Sequence, residues 1–199
     1  MTMSTIKKIT LACTALFAVM GSPLAANAAE DYAAAIKRDV VPQVKSWLAD
    51  SGLIAAVNSQ NSRHASLGQS DIDRLDSQWR SETSSGNRKL VDAVLSNSLS
   101  GYLNDMKSQG SGLYTEIFVM DNKGLNVGQS DVTSDYWQGD EAKWQKTYLA
   151  GPSAVFVDDV EFDESSQTFQ SQLSLPVVDP DSGEVIGAVT VGVNVEMLQ

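Results

Sequence analysis

Hydrophobic and polar positions recur with two different periods along this chain, and the change of period divides it into two parts. Residues 30–107 carry apolar side chains at steps of three and four, which is typical of amphipathic helices. Residues 113–195 carry alternating apolar and polar side chains between turn sequences, which is typical of strands. We therefore expect one domain over 29–199, with a helical part over 29–112 and a sheet part over 113–199.

Three apolar stripes predict the helices. The first follows residues 36–57, where Pro42 either starts or kinks the helix. The second helix follows a Ser70 cap and the third follows an Asn87 cap. Residues 59–68 are polar and are predicted to be a loop. The stripes consist of Ile36, Val40, Val44, Trp47 and Leu48, then Ile72, Leu75 and Trp79, and finally Leu90, Val91, Val94, Leu95, Leu99, Tyr102 and Met106.

The second part predicts about five consecutive strands joined mostly by short turns. In the last of them, VIGAVTVGVNV, alternate positions are mostly valine, whereas the positions between them are mostly small. The valine face is expected to pack on the long helices, and the small face leaves room for a close backbone or a ligand. Helices followed by such strands predict an α+β fold with an antiparallel sheet. The predicted strands cover 115–121, 125–130, 154–163, 169–178 and 185–195.

The segment SDYWQGDEAKWQKTY, residues 134–148, is dense in rings and charge and lies between the second and third strands. It is too polar for a sheet strand, and residues 140–148 are predicted to form a short helix. One interpretation makes it a ligand pocket, with aromatic walls and with carboxylate acceptors for an ammonium group. In the other, some of the rings cover the sheet as core and the carboxylates face water. The pocket residues would be Tyr136, Trp137, Asp140, Glu141, Trp144, Tyr148 and Asp163.

The first 28 residues have the pattern of a secretory signal peptide. Lys7 and Lys8 precede an apolar run over 9–20, and Ala26-Asn27-Ala28 is a cleavage sequence. The alternative, a lipoprotein signal at Cys13, is disfavoured because almost no apolar run precedes that residue. The mature chain is therefore expected in the periplasm, without membrane insertion after cleavage. It keeps no cysteine, which excludes disulfides.

Charge narrows the class of partner. Removal of the signal takes two lysines and leaves 12 basic against 25 acidic residues, a net charge of −13. Such a surface repels phosphate backbones, so nucleic acid binding is not expected. The last arginine is Arg88, so residues 89–199 cannot supply the guanidinium fork that suits a carboxylate. This favours an amine, a quaternary ammonium compound or a neutral aromatic ligand, unless Arg63 or Arg80 reaches the site.

Catalytic chemistry has little support in this sequence. The lone histidine, His64, is predicted to be a surface residue in a loop, and no second histidine or mature cysteine joins it in a zinc site. The acidic run at 158–165 suits either calcium or a solvated edge strand, and we favour the strand. The sequence Asp179-x-Asp181-x-Gly183 lacks the later glutamate of a calcium loop. We therefore predict no catalytic residue, no cofactor and no metal site.

Three segments together carry a family resemblance. They are EIFVMDNKGLNVGQS, AVFVDDVEFDESS and LSLPVVDPDSGEVIGAVTVGVNV, separated by the insertion at 134–148. In this order they resemble an extracytoplasmic sensor domain of the Cache (PDC) family, over roughly 30–199 in element order and most clearly over 115–195. The resemblance implies a long N-terminal helix on a PAS-like antiparallel sheet. It also implies binding of small molecules under the loops of the sheet, usually as part of a chemoreceptor or a sensor kinase.

The chain departs from that family in ending at Gln199 without a transmembrane helix or a signalling module. We therefore expect a soluble sensor that binds a small-molecule ligand and acts through a membrane receptor or a sensor kinase. The alternative is a periplasmic interaction protein with a vestigial pocket, which works by contact through its helical half. An exposed apolar stripe on residues 36–57 would favour that alternative, or a homodimer.

Overall fold

The structure is a computed structural model that describes residues 32–164 and 166–198. The predicted signal peptide over 1–28 lies outside the described residues and stays a prediction. Among the helices that are described, none combines the length and the apolar character that crossing a bilayer requires.

Residues 32–35 are α-helical, and from Val41 onward the helical part forms five α-helices in the described residues. A π-helical turn over Ile36–Val40 runs directly into the first of them, and Pro42 lies in the first turn of that helix, where its missing N–H is not needed. The helix therefore changes type near the proline instead of ending there. The helices are α1 (Val41–Trp47), α2 (Ser51–His64), α3 (Gln69–Thr83), α4 (Lys89–Leu95) and α5 (Ser98–Gln109).

The predicted loop over 59–68 is wrong in its first half, because α2 continues to His64. Polar side chains at this end of α2 form hydrogen bonds with the sheet part of the protein. The Gln60 amide donates to Asp121 Oδ2 at 3.1 Å, and the Asn61 amide donates to the Ile186 carbonyl at 2.8 Å. Hydropathy alone therefore misses this end of the helix, since its inner face is polar and hydrogen-bonded.

Two predicted helix caps also need correction. Helix α3 begins before Ser70, at Gln69, with Gly68 as its N-cap and the Asp71 carboxylate accepting from the Gly68 N–H at 3.3 Å. The predicted Asn87 cap is also wrong, because the helix begins at Lys89 with Arg88 as its N-cap. The predicted third helix is in fact two helices, since Asn97 caps a new one and accepts a hydrogen bond from the Ser100 N–H at 2.8 Å. A side-chain oxygen that accepts from the first turn in this way stabilises a helix start.

The second part forms six strands in the described residues, all paired antiparallel. The predicted strand over 154–163 is in fact two short strands, and the short helix predicted in the insertion is present as α6 (Ala142–Gln145). The order across the sheet is β2-β1-β6-β5-β3, with β4 also paired to β5. The strands are β1 (Tyr114–Met120), β2 (Asn126–Gln129), β3 (Phe156–Val157), β4 (Glu161–Asp163), β5 (Thr168–Val178) and β6 (Val185–Asn194).

The main core lies between one face of this sheet and the helices. The valine face of β6 packs there as predicted, with Val189, Val191 and Val193 buried. The apolar stripe of the first helices is buried against it, and α5 packs on β1 and β2. The α+β prediction is thus confirmed, and the stripe on residues 36–57 is covered by the protein itself. Its buried members are Ile36, Val40, Val41, Val44, Leu53, Ile54 and Val57.

We expect Gly187→Ala to lower the free energy of unfolding by about 1–3 kcal/mol, the usual cost of overpacking. A Cβ at this position of β6 would lie 3.2 Å from Val57 Cγ1 and would overlap the carbonyl oxygen of Met120. Gly101→Ala is the matched control, since a Cβ there meets nothing within 4 Å in helix α5, and alanine should add roughly 0.5–1 kcal/mol. Urea unfolding of both variants measures the difference. Equal stability of the two variants would contradict the proposed close contact between β6 and β1.

Candidate ligand-binding site

The face of the sheet opposite the helices carries small side chains on β6, polar side chains on β5, and Glu116 beside two apolar side chains on β1. Alternation along each strand places there the residues that lie between the core positions. At its centre the Ser174 and Thr190 hydroxyls hydrogen-bond at 2.9 Å across β5 and β6. The small face predicted for β6 is therefore present and faces away from the helices. Its residues are Glu116, Phe118 and Met120 of β1, Ala188, Thr190 and Gly192 of β6, and Gln172 and Ser174 of β5.

The insertion partly covers this face. Trp144 is 9% exposed, and its ring packs with Phe118, Met120 and Ala188. Its indole N–H donates to the Asp121 carbonyl at 3.1 Å, and Tyr148 stacks on it with 4.7 Å between ring centroids. These two predicted pocket rings therefore belong to a small core on the sheet, as the second interpretation of the segment expected for some of its rings.

The other two predicted rings lie in a different cluster. Tyr136 is buried, and its ring stacks on Trp79 with 5.3 Å between centroids, among side chains of α3 and α4. The Trp137 indole N–H donates to the Lys123 carbonyl at 2.8 Å. The N–H groups of residues 136 and 137 both donate to Asp76 Oδ1, at 2.9 and 3.0 Å. The structure thus does not bring the four rings together around one pocket.

Two adjoining cavities, of about 230 and 220 Å³, lie on the open face of the sheet beside the insertion. We call them together the acidic cleft. The Gln172 amide, which lines the first, donates to the Glu116 carboxylate, which lines the second, at 2.9 Å. Seven carboxylates and two lysines line the cleft, an excess of five negative charges. Its lining residues are Glu141, Lys143, Asp158, Asp159, Glu161, Gln170 and Gln172, then Lys107, Thr115, Glu116, Asp131, Val132, Asp163 and Ser166.

A β-bulge and a glycine position Glu116 in this cleft. The pairing of β1 with β6 shifts between Tyr114 and Glu116, so that Glu116 lies opposite Gly192. A Cβ on Gly192 would lie 2.9 Å from both Glu116 Cγ and Gln170 Oε1. The missing side chain therefore leaves the space across β6 that the Glu116 and Gln170 side chains occupy.

The Glu116 carboxylate is held at an electrostatic cost. Burial raises its pKa above the ordinary value, and the negative charges of Asp163 and Asp131 act in the same direction. The hydrogen bond from Gln172 and the positive charge of Lys143 oppose the rise in pKa without cancelling it. Among the described residues, Gln172 makes the one hydrogen bond to this carboxylate. A positive group in the cleft would therefore stabilise its charged form.

Both lysines of the cleft are already paired. The Lys107 ammonium lies 2.6 Å from each carboxylate oxygen of Asp131. The Lys143 ammonium lies 2.9 Å from Glu141 Oε2 and 5.6 Å from the centroid of the Phe118 ring. Neither lysine offers the planar fork that binds a carboxylate. The Lys143 ammonium itself lies between the Glu141 carboxylate and the Phe118 ring.

The predicted acidic residues fall into two groups. Glu141 and Asp163 line the acidic cleft, whereas Asp140 is exposed and is not among the residues that line it. Sequence reasoning missed Glu116, and it missed the glutamines of β5. A signal for Glu116 existed, because it is the charged residue of TEIFVMD that shares a face with the small side chains of β6.

His64 was predicted to be a surface residue in a loop, and this is wrong. It is the last residue of α2, its side chain is 17% exposed, and its Nδ1 lies 2.8 Å from Asp121 Oδ2. Asp121 is fully buried and also accepts at Oδ1 from the N–H groups of Lys123 and Leu125, at 2.8 and 2.9 Å. Since a carboxylate only accepts, the imidazole donates from Nδ1.

Over residues 32–164 and 166–198, no three histidine, cysteine, aspartate or glutamate side chains are grouped so as to hold a metal ion.

No protein-family model and no curated protein sequence matches the chain. Solved structures do. The ligand-binding domain of the Campylobacter jejuni chemoreceptor Tlp3 in complex with 4-methylisoleucine is similar over 84% of this chain and 62% of that chain, with 14% identity and a TM-score of 0.40. The sensor domain of the V. cholerae histidine kinase DctB is similar over 72% and 56%, with 20% identity and a TM-score of 0.35.

The ligand-binding domain of the Pseudomonas aeruginosa amino acid chemoreceptor PctC in complex with GABA is similar over 88% of this chain and 63% of that chain, with 14% identity and a TM-score of 0.36. The chain spans less than two thirds of each of these three structures. The first and the third come from chemoreceptors and the second from a histidine kinase. At these TM-scores, the fold assignment rests on the helices and strands of this chain.

Proposed function

We propose that this chain is a periplasmic sensor domain that binds a small organic cation in the acidic cleft and acts through a membrane receptor or a sensor kinase. The observation that carries the proposal is Glu116. Its carboxylate lines one cavity and has a raised pKa because of burial. It accepts one hydrogen bond from the described residues, from Gln172, which lines the other cavity. Such a carboxylate favours a ligand that brings positive charge and hydrogen-bond donors.

The size and the polarity of the cleft favour a primary amine over an aromatic ligand. Each cavity, at about 230 and 220 Å³, is smaller than the sites of roughly 300 Å³ and above that hold drug-sized ligands. In the described part of the chain, no aromatic ring lines either cavity. Glutamine amides and carboxylates dominate the walls, and these groups bind an ammonium through hydrogen bonds.

The alternative function, a periplasmic interaction protein with a vestigial pocket, has one observation in its favour. Phe162 of β4 and Phe169 of β5 form an edge-to-face pair with 5.3 Å between centroids, and their exposed fractions are 50% and 49%. Exposed aromatic rings are common at protein interfaces. The two functions are separated by ligand binding, because an interaction protein would not respond to small cations.

Binding of a small amine should raise the melting temperature of the purified protein with increasing concentration, because the ligand binds the folded state alone. The measurement is thermal unfolding against a panel of diamines, quaternary ammonium compounds, amino acids, organic acids, purines and calcium. We expect the largest shift from primary amines. A flat result over the whole panel would contradict the sensor function and favour the interaction protein.

Glu116→Gln should weaken amine binding about tenfold or more, because it removes a charge-assisted hydrogen bond. The matched control is Asp181→Asn, which removes one negative charge from an exposed turn residue that does not line the cleft. Titration calorimetry with the best amine of the panel compares the two variants. Equal losses of affinity in both would mean that amines respond to the overall charge of the protein, and not to a site at Glu116.

Without ligand, Glu116→Gln should increase the free energy of unfolding near neutral pH and have little effect near pH 3. Burial raises the pKa of Glu116 in the folded state, so the unfolded chain releases this proton at a lower pH. In the window from the ordinary value of 4.5 upward, the folded state binds more protons, and stability falls as pH rises. Glutamine keeps an acceptor for Gln172 and removes the buried charge.

Urea unfolding of the protein and of Glu116→Gln at both pH values measures this effect. Asp181→Asn again provides the control, since an exposed carboxylate contributes little to stability. If Glu116→Gln destabilised the protein near neutral pH, the carboxylate would have a structural role and the cleft would lose its main argument.

A further inference from the structure

A separate cavity of about 360 Å³ lies between α2 and α4, on the helical side of the sheet and apart from the acidic cleft. Its lining is mixed in chemistry. The polar side chains that line it include Arg63, His64 and Tyr136, and the apolar ones include Leu90, Val94 and Val127. Such an amphipathic cavity suits a small organic molecule with one polar end.

Arg63 differs from the other arginines of this protein. The other four each have an aspartate within 4 Å: Arg38 pairs with Asp39, Arg74 with Asp71, Arg80 with Asp76 and Asp135, and Arg88 with Asp92. Over the described residues, the guanidinium of Arg63 has no carboxylate partner, and its Nη1 donates to the Ser59 hydroxyl at 2.6 Å. In a protein with this excess of acid, an arginine without a carboxylate retains free donors for an anion.

His64 is oriented beside Arg63 by a buried partner. Its Nδ1 donates to Asp121 at 2.8 Å, which fixes the ring and leaves Nε2 as the second polar atom of the side chain. In the protonated ring, Nε2 is a donor as well. The Asp121 carboxylate also accepts hydrogen bonds from Gln60, Lys123 and Leu125.

Tyr136 supplies a third donor. Its side chain is 4% exposed, and in the part of the chain that the structure describes its hydroxyl has no hydrogen-bond partner. Burial and then the charge of Asp121 raise the pKa of this hydroxyl, while the positive charge of Arg63 acts in the opposite direction. The hydroxyl therefore stays protonated at neutral pH, and it lies within electrostatic reach of both charged residues.

We propose that this cavity binds a small organic carboxylate. Arg63, together with the protonated form of His64, holds the carboxylate group. The Tyr136 hydroxyl donates to it, and the hydrocarbon part of the ligand packs on the apolar side chains of α4 and β2. This site is distinct from the acidic cleft in its position and in the sign of its ligand. It does not depend on the function proposed for the cleft.

The test uses His64 as its own reporter, because it is the one histidine of the sequence. Butyrate, hexanoate and benzoate are titrated into the purified protein, each against its primary amide, and the imidazole carbon-bound proton signal is followed by NMR. We expect at least one carboxylate to move this signal saturably and its amide to have no such effect. The absence of saturable movement with all three carboxylates would overturn the proposal.

Two variants and two controls locate the binding. Arg63→Gln should weaken the carboxylate about tenfold or more, and Tyr136→Phe, which removes one hydroxyl, roughly two- to tenfold. Arg74→Gln removes the same charge from an exposed arginine of α3 and should leave the affinity unchanged. Glu116→Gln should also leave it unchanged, which separates this site from the acidic cleft. Equal losses in Arg63→Gln and Arg74→Gln would overturn the proposal, as would unchanged binding in Tyr136→Phe.

Discussion

The carboxylate of Asp121 is fully buried, and the arrangement around it depends on the donors that compensate for its charge. A buried carboxylate without partners costs several kcal/mol, on the order of the whole stability of a domain. Gln60 and His64 of α2 supply two donors, and two N–H groups of the turn after β1 supply the others. The Asp121 carbonyl also accepts from the Trp144 indole. One residue at the end of β1 therefore fixes the hairpin, the end of α2 and the insertion over the sheet.

Strand β6 gives the two faces of the sheet their different roles. Its valines bury against the helices, and each such side chain contributes roughly 1.5–3 kcal/mol when removed from water. The opposite face has small residues, and Gly192 leaves space for side chains of the neighbouring strands. A register shift of one residue would exchange these faces. The burial of the valine face in the core thus determines which side chains point toward the acidic cleft. Glu116 is one of them, although burial disfavours its charged form.

The alternation of the strands and the helical stripes predicted the α+β fold and the short helix of the insertion, because these patterns follow directly from burial. Two sequence predictions, the loop over 59–68 and the single aromatic pocket, failed for the same reason. The end of α2 was predicted to be a loop because Gln60, Asn61 and His64 are polar, yet each of them forms a hydrogen bond with a residue of the sheet part. Density of rings in residues 134–148 suggested one pocket, but Tyr136 packs on α3 whereas Trp144 packs on the open face of the sheet. A pattern in sequence shows polarity and spacing, and it does not show which long-range partner a polar or aromatic group finds.

The argument from charge shows the same limit at the level of the whole chain. A net charge of −11 and the absence of arginine after Arg88 favour a cationic ligand, and the local excess of carboxylates in the cleft agrees with them. Composition, however, does not distinguish arginines that are paired with carboxylates from arginines that are not. Four of the five arginines form ion pairs with aspartates, and in three of them the aspartate is no more than four residues away in the sequence. These four arginines therefore do not offer a site for an anion. Arg63 differs because α2 carries it to a cavity walled by α4, where no described carboxylate meets it. The chemistry of a site therefore follows from the local pairing of charges, and the tertiary structure decides that pairing.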